Sequence, residues 1–200
     1  MFHVKHQGWT GSPGGLSQHQ LMLLERYEGL LREQAVPRKM IAAGDAGRLR
    51  YRHVLDCLRG VELLEVSDGS LLDIGSGAGL PGIVFAIACP VLEVTLVESR
   101  RSRAIFLRSA VASLELERVR VVHGRIEQQP IEVDVCVARA FGSASRSWEA
   151  AAPHLGPMGR LIYWAGASFR PSDTPSDLRV DVVRAPALAR SGPLVMMSRQ

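Results

Sequence analysis

The apolar positions in the first third of the chain recur with a helical period. From residue 17 to 34 they fall on one side of a helix, with Ser17 placed to cap its amino end. Val36 and Pro37 interrupt the period, and a second helical stretch follows over residues 45–64. We therefore predict an N-terminal helical extension over residues 17–66, preceded by a flexible basic tail over residues 1–16 that contains glycine, proline, serine and histidine.

From residue 67 the pattern changes to short apolar runs that alternate with helices. Strands are predicted at residues 70–74, 91–97, 119–122, 133–137, 160–165, 177–183 and 193–198, and helices at residues 83–88, 101–114 and 144–152. In the helix over 101–114, the inward residues are expected to be Ile105, Phe106, Val111 and Leu114. The alternation predicts a mostly parallel, seven-stranded, doubly wound α/β sheet with helices on both faces, formed by residues 67–200. The last two strands are close enough along the chain to pair antiparallel.

Composition and charge limit the classes of protein. The apolar fraction of 46% over 200 residues is sufficient for one domain with a real core. The net charge of +4 favours anionic partners only mildly. Cys57, Cys89 and Cys136 lie far apart in apolar stretches, which is typical of buried free thiols in a reducing compartment. The sequence shows no metal-ligand cluster, secretory signal or membrane span, so a cytoplasmic protein without a metal is expected.

A cluster of glycines follows the first strong strand. Strand, glycine loop and helix in this order form a nucleotide-binding arrangement, because glycines accept positive φ and let a ligand lie against the backbone. Two registers overlap: Gly75 begins a GxGxG loop, and Gly77 begins a GxGxxG loop that ends at Gly82 and imitates the dinucleotide fingerprint. The strand is expected to end near Ile74, which favours the Gly75 register. Asp73 would repel a pyrophosphate but suits a ligand with a cationic amino group.

A second acidic residue, Glu98, ends the second strand, 23 residues beyond Gly75. At this position a carboxylate can accept hydrogen bonds from both hydroxyls of a ribose. The alternative is that residues 75–82 form only a tight turn and that Glu98 is a strand-end charge. The order and spacing of the two features together favour a nucleotide site.

Four blocks of the sequence resemble the bacterial small-subunit rRNA guanine-N7 methyltransferase family, also called glucose-inhibited division protein B. The run DIGSGAGLPGI at residues 73–83 is similar to its first motif, and RHVLDCL at 52–58 is similar to its RHxLDSL helix. RIE at 125–127 and ARAF at 138–141 are similar to its segments after the third and fourth strands. The resemblance extends over about residues 16–198. The glycine block is common to many methyltransferases, whereas the RHxLD and RAF blocks in combination are more specific.

The resemblance implies a Rossmann-like class I methyltransferase that transfers methyl from S-adenosyl-L-methionine to N7 of a guanine in 16S rRNA, either free or in the small ribosomal subunit. Glu98 would hold the ribose, Ile126 and Glu127 would flank the adenine, and Arg139 would lie between cofactor and substrate. The full set of expected cofactor residues is Asp73, Gly75, Gly77, Leu80, Glu98, Ile126, Glu127 and Arg139.

Two segments depart from the family pattern. Residues 36–44 stand where the family usually has Asn-Leu-Thr, and Trp164-Ala165-Gly166 stands where it often has Lys-Gly. Position 165 therefore supplies no charge, and Arg170 is an alternative source of a phosphate contact.

The implied chemistry needs few catalytic side chains. N7 of guanine is a lone-pair nucleophile without a proton to remove, and a sulfonium methyl group is already activated. In-line alignment is then the main task, so no general base is required. We expect Arg139 to position a phosphate or the guanine O6, and the target base to leave its stack.

Arginines and one histidine are the candidates for contact with RNA. They are Arg52, His53, Arg101 and Arg103. The alternatives are solvated helix faces for the arginines and a packed, hydrogen-bonded His53 that Asp56 orients on the same helix face. Trp9 in the tail is a further candidate for stacking on a base.

Three other functions stay open at this point. They are a class I methyltransferase acting on a small molecule or protein, a nucleotide-dependent oxidoreductase using the Gly77 register, and a non-catalytic RNA-binding module on the same fold. The RHxLD and RAF blocks favour an rRNA acceptor, and Asp73 with the antiparallel final strands disfavours an oxidoreductase. The unbroken glycines and Glu98 favour a retained cofactor site. We expect a monomer.

Overall fold

A seven-stranded sheet forms the centre of the molecule in a computed structural model that describes residues 15–184 and 192–200. The strands are β1 (Ser70–Ile74), β2 (Glu93–Glu98), β3 (Val119–His123), β4 (Val133–Arg139), β5 (Leu155–Trp164), β6 (Leu178–Val183) and β7 (Leu194–Arg199). Their order is β3-β2-β1-β4-β5-β7-β6. Strands β1 to β5 pair parallel with one another, and β7 pairs antiparallel with both β5 and β6. The predicted mostly parallel sheet with two antiparallel final strands is confirmed.

Helices cover both faces of the sheet. Those of the described residues are α1 (Gln18–Leu30), α2 (Leu55–Val61), α3 (Gly82–Ala88), α4 (Arg101–Ser113) and α5 (Ala144–Ala151). One apolar core contains residues of the four helices α1, α2, α3 and α4 together with Leu71 of β1. A second core contains residues of α5 together with Leu72 and Ile74 of β1. Because side chains alternate along a strand, Asp73 faces the same side as Leu71, toward α1 to α3.

The N-terminal extension begins as predicted and then departs from a regular helix. The Ser17 hydroxyl accepts from the backbone N–H of Gln20, and the Gln20 side chain accepts from the backbone of Ser17, which forms a capping box. The helix continues into a π turn (Leu31–Ala35). The predicted continuous helix over residues 45–64 is wrong. A 3₁₀ turn (Ala43–Arg48) and a π turn (Arg50–Val54) precede α2, in a segment where glycines at 44 and 47 favour helix poorly.

One inward position was also predicted wrongly. Ile105 is 54% exposed, because α4 turns Phe106, Leu107 and Ala110 toward the sheet and carries the preceding residue outward. Leu21 is 46% exposed on α1. Strand β5 begins at residue 155 rather than at 160, and β2 begins at 93, after an exposed residue at 91.

The remaining expectations concern the cysteines, membrane spans, metal ligands and the N-terminal tail. The three cysteines are buried and free, as predicted, and burial raises the pKa values of Cys57 and Cys89 to about 12. Across residues 15–184 and 192–200, no helix is both long and apolar enough to cross a bilayer, and no group of three or more metal-binding side chains occurs. The tail over 1–16, with Trp9, lies almost entirely outside the described residues, and the three expected segment boundaries stay predictions.

Candidate active site

The glycine loop leaves β1 at its carboxyl end. Gly75, Gly77 and Gly79 have φ values of 68°, 59° and 92°, a region that favours glycine. The loop begins directly after Ile74, so the first turn glycine is Gly75, in agreement with the register that the sequence favoured. A Cβ atom at position 75 would lie 2.7 Å from Cδ2 of Phe141, so only a glycine fits beneath that ring.

Three hydrogen bonds hold the loop from different elements. The Tyr27 hydroxyl on α1 donates to the Ala78 carbonyl at 2.7 Å. The Gly77 N–H donates to Oε2 of Glu98 at 3.0 Å. The Gly82 N–H, at the start of α3, donates to Oδ2 of Asp73 at 2.9 Å. The loop is therefore tied to the N-terminal extension, to β2 and to β1 at once.

Asp73 is the most deeply buried acid of the site. It is 1% exposed, and burial raises its pKa to about 7, against the opposing effect of the hydrogen bond from Gly82. Its carboxyl group therefore supports the loop from the inside. The expected contact of Asp73 with a cationic amino group stays a prediction.

Glu98 lies at the carboxyl end of β2 and is 3% exposed. Its Oε1 accepts from the Arg100 N–H at 2.7 Å, and its Oε2 faces Gly77 and, at 3.9 Å, Nη1 of Arg103. A carboxylate has about four lone-pair sites, so acceptor capacity for a ribose hydroxyl remains. Arg103 lies beside the glycine loop, and its expected contact with RNA stays a prediction.

A cavity of about 570 Å³ opens next to the loop, a size within the range of about 300–1,000 Å³ that small-molecule sites occupy. It is lined by Gly75, Val97, Ser99, Gly124, Arg125, Ile126, Glu127, Gln128, Phe141 and Arg146. The structure thus brings three predicted cofactor residues, Gly75, Ile126 and Glu127, around one cavity. Leu80 is buried and is not among the lining residues that the structure describes.

Sequence reasoning assigned no role to seven of the ten lining residues, among them Phe141 and Arg146. The guanidinium of Arg146, in the first turn of α5, lies 5.9 Å from the centroid of the Phe141 ring. The aromatic residue of the RAF block was the available signal for Phe141. Nothing in the sequence pattern indicated Arg146, because its approach depends on how α5 packs.

Arg139 ends β4 on the α1 side of the sheet. Asp73 on β1 pairs with Val137, so β4 carries Arg139 to the level of Gly75. Its side chain is 18% exposed. The guanidinium donates from Nε to Oδ2 of Asp56 at 3.3 Å, and from Nη2 to the Arg52 carbonyl at 3.2 Å and to Nδ1 of His53 at 2.9 Å. The RHVLD and RAF blocks are therefore joined beside the glycine loop.

His53 is packed and hydrogen-bonded, with a side chain 11% exposed. Its Nδ1 accepts from Arg139, and its Nε2 faces Oδ2 of Asp45 at 3.3 Å. Burial lowers the pKa of His53, the charge of Arg139 lowers it further, and Asp45 opposes the shift. Both ring nitrogens are engaged internally, and the direct RNA contact expected of His53 stays a prediction. The expected orientation by Asp56 is wrong: Asp45 orients the ring, while Asp56 binds Arg139 and Arg59.

The arginines of the site fall into two groups. The first, near the extension, is ion-paired: Arg52 and Arg48 both contact Asp45, at 3.2 and 3.3 Å, and Arg50 contacts Glu28 at 2.8 Å. An RNA contact by the half-exposed Arg52 stays a prediction. The second group, which we call the rim arginines, surrounds the carboxyl edge of β2 to β4. Its members, Arg100, Arg101, Arg125 and Arg146, have no carboxylate within 4.0 Å among the described residues.

The site lies where the sheet order reverses direction. The chain runs outward from β1 to β2 and β3, and then returns to β4 on the other side of β1. In open α/β sheets, ligands bind outside the carboxyl ends of the strands at such a switch point. The loop, the cavity and Arg139 all lie there.

Solved structures of similar fold include a protein in complex with S-adenosylmethionine and a methyltransferase. A mutant of MtNAS in complex with S-adenosylmethionine matches with a TM-score of 0.63 at 16% identity, covering 94% of this chain and 77% of that one. The mitomycin 7-O-methyltransferase MmcR matches with a TM-score of 0.58 at 17% identity, covering 92% and 69%. The predicted Rossmann-like class I methyltransferase fold is confirmed.

Sequence relatives include proteins from several bacteria that are named ribosomal RNA small subunit methyltransferase G. The protein of Salinispora tropica is 41% identical over 158 residues, which cover 74% of this chain and 65% of the relative. The protein of Paracoccus denitrificans is 35% identical over 162 residues, which cover 80% and 84%. The chain thus spans just under two thirds of the length of some of these relatives. The family model described as rRNA small subunit methyltransferase G matches residues 20–171, and the chain belongs to this family.

Proposed function

We propose that this protein is an S-adenosylmethionine-dependent methyltransferase that methylates N7 of a guanine in 16S rRNA. The observation that carries the proposal is the attachment of Arg139 to the Arg52–Asp56 segment at the level of Gly75. The two sequence blocks most specific to the family meet at this point, next to a loop and cavity of the right size for a nucleoside cofactor.

The residues present fit the cofactor. Gly75 leaves the backbone open, the buried Ile126 offers an apolar surface to an adenine, and the exposed Glu127 offers an acceptor to its edge. Glu98 retains lone pairs for a ribose hydroxyl. S-Adenosylmethionine, when bound, supplies a methyl group on a sulfonium centre. The protein then has to bind, orient and exclude water rather than remove a proton.

The contacts of Arg139 limit what it can do at the acceptor base. Its Nε and Nη2 are engaged, and Nη1 makes no hydrogen bond to the described residues. A bidentate contact to N7 and O6 of guanine would occupy the reacting lone pair. Arg139 is therefore suited to a contact from Nη1 to O6 or to a phosphate, with N7 left free to react.

The rim arginines support a nucleic-acid substrate. Uncompensated arginines around a site bind phosphates and release counterions, which makes affinity depend steeply on salt. A 16S rRNA substrate would place the protein in the compartment that holds ribosomal subunits, and we propose that it acts there as a monomer.

The experiment is methyl transfer from labelled S-adenosylmethionine to small ribosomal subunits or to 16S rRNA. Label in 16S rRNA is the expected result. Label on protein or on small molecules and never on rRNA would show a class I methyltransferase with another acceptor. Arg139→Ala is expected to lose transfer while the melting shift caused by S-adenosylmethionine persists.

Thermal stabilisation separates the remaining alternatives. We expect S-adenosylmethionine and its demethylated product to raise the melting temperature, and NAD to have no effect. A shift with NAD alone would support the oxidoreductase, and no shift with any nucleotide would support a non-catalytic RNA-binding module.

A further inference from the structure

The guanidinium of Arg139 has three acceptors, and all of them come from one short segment. They are the Arg52 carbonyl, Nδ1 of His53 and the carboxylate of Asp56. The imidazole nitrogen accepts only when it carries no proton. Carbonyl and carboxylate oxygens accept hydrogen bonds without this condition on a ring proton.

The contact between His53 and Arg139 therefore fixes the tautomer of the ring. An arginine can only donate, so Nδ1 must be the lone-pair nitrogen and Nε2 must carry the proton. That proton points to Oδ2 of Asp45, at 3.3 Å. Asp45, in the 3₁₀ turn before the histidine, thus selects the tautomer that Arg139 needs.

We propose that His53, oriented by Asp45, is a positioning residue that fixes Arg139 with its Nη1 facing the substrate. The inference rests on the proposed function for its catalytic consequence, but the Asp45–His53–Arg139 chain of hydrogen bonds is a property of the protein itself. Protonation of Nδ1 would set an N–H and a positive charge against the guanidinium 2.9 Å away, so this chain breaks when His53 becomes charged.

The charged groups around His53 agree with a neutral ring. Arg139 approaches from β4, Arg52 is its neighbour along the chain, and Asp45 approaches from the 3₁₀ turn. Glu28, on the packed helix α1, is bound to Arg50 instead. Burial and the two arginines lower the pKa of His53, and Asp45 alone raises it.

Nuclear magnetic resonance of ¹⁵N-histidine-labelled protein tests the chain without any assay of activity. We expect His53 to carry its proton on Nε2 at neutral pH. In Arg139→Met the pKa of His53 should rise, because the nearest positive charge is gone. Arg101→Met, which removes a charge from the other side of the site, should leave it unchanged. A proton on Nδ1 in the wild-type protein, or an unchanged pKa in Arg139→Met, would overturn the proposal.

Steady-state kinetics test the effect of His53 on methyl transfer to RNA. His53→Leu is expected to lower kcat or raise KM for RNA by about tenfold to hundredfold, with little change in S-adenosylmethionine affinity. His53→Asn keeps an acceptor that cannot be protonated, so it should retain activity. We also expect it to lose the fall in activity at low pH that protonation of His53 causes in the wild-type enzyme. Asp73 has a pKa of about 7, but its ionisation would change cofactor affinity. Only a pH dependence of kcat, or of KM for RNA, is therefore assigned to His53.

The matched control is His19→Gln, at an exposed histidine near the amino end of α1, and this variant should behave as wild type. If His53→Leu weakens cofactor binding and the acceptor step equally, or if His53→Asn keeps the same fall in activity at low pH, His53 is a packing residue only. If labelled methyl never reaches rRNA but the spectroscopic results hold, the proposed function fails and the hydrogen-bond chain stands.

Discussion

The carboxyl group of Asp73 is buried under the glycine loop and has a pKa of about 7. Its ordinary value is 3.8, so the folded protein binds a proton more tightly than the unfolded chain between these two values. The stability that this proton contributes is present below pH 3.8 and is lost as the pH rises toward 7. Above that pH the fold contains a charge that it solvates poorly.

Asp73→Asn should therefore become more stable relative to wild type as the pH rises. Asparagine keeps the acceptor for the Gly82 N–H and cannot ionise. The free energy of unfolding of the variant relative to wild type, measured by urea unfolding, should be larger at pH 8 than at pH 4 by on the order of 1–4 kcal/mol. The exposed Asp177→Asn is the control. A stability difference that does not change with pH would contradict the buried, protonated carboxyl group. If Asp73 also binds the amino group of the cofactor, the same variant will bind S-adenosylmethionine more weakly.

Gly75 is the position where a single methyl group should close the site. In Gly75→Ala the new Cβ would meet Phe141 at 2.7 Å, in a backbone conformation with φ of 68°. The left-handed conformation costs a non-glycine residue about 1–2 kcal/mol, and displacement of the ring adds to it. We expect cofactor affinity to fall by at least tenfold in calorimetry. Gly44→Ala, which meets nothing within 4 Å, should bind normally, and normal binding by Gly75→Ala would place the cofactor elsewhere.

Residue identity predicted the site better than it predicted side-chain partners. The place of Gly75 followed from the strand end and the glycine spacing, whereas Ile126 and Glu127 were implied by the family resemblance, and all three line one cavity. The partner of His53 did not, because Asp45 approaches from a turn that the helical pattern concealed, whereas the expected partner, Asp56, is taken by two arginines.

The contact of α1 with the glycine loop is a second link, besides the hydrogen bonds of Arg139, between the extension and the methyltransferase core near the site. Tyr27 is fully buried, and its hydroxyl bonds the Ala78 carbonyl inside the loop. A helix outside the predicted core domain thus helps to set the shape of the loop. The apolar period of α1 predicted that Tyr27 faces inward, but nothing local to it predicted the loop as its partner.

Tyr27→Phe should loosen the loop without opening a cavity. Loss of the hydroxyl leaves the Ala78 carbonyl without its partner, which costs about 1–3 kcal/mol. We expect a lower melting temperature and weaker binding of S-adenosylmethionine. Tyr51→Phe, at a side chain 68% exposed in the extension, is the matched control. Unchanged cofactor binding in Tyr27→Phe would show that α1 does not shape the loop.

Periodicity predicted the regular elements and failed at the irregular ones. All seven strands were expected from apolar runs, since fully or half-buried strands leave a clear pattern. The segment between α1 and α2 has an apolar period as well, but a 3₁₀ turn and a π turn interrupt the helix there. Those turns position the Arg52 carbonyl and His53 against Arg139, which is a tertiary constraint that the local pattern does not contain.

At the scale of the whole molecule, charge is distributed unevenly around the sheet. The rim arginines lie at the carboxyl edge of the early strands, whereas Arg179, on β6 at the far edge, is paired with Asp181 at 3.2 Å. The net charge of +4 alone is too small to indicate a nucleic-acid surface. The sequence therefore predicted Arg101 as an RNA contact, but it did not predict Arg146 or show which arginines are neutralised by acids.

Removal of two rim charges should weaken RNA binding in proportion to the phosphates they contact. For Arg101→Ala with Arg125→Ala, we expect the slope of log K against log salt to fall in magnitude by roughly 0.7–0.9 for each lost contact. Arg179→Ala should leave the slope unchanged. Equal slopes for all three proteins, measured by filter binding of 16S rRNA, would mean that the RNA lies on another surface.

The identity of the methylated atom decides whether the protein is an rRNA guanine-N7 methyltransferase. Small-subunit RNA methylated by this protein with labelled S-adenosylmethionine would be digested to nucleosides and separated by mass. We expect the label to be recovered as 7-methylguanosine from 16S rRNA, and Arg139→Ala to abolish it. Recovery of the label in any other nucleoside, or none in 16S rRNA, would refute the proposed function.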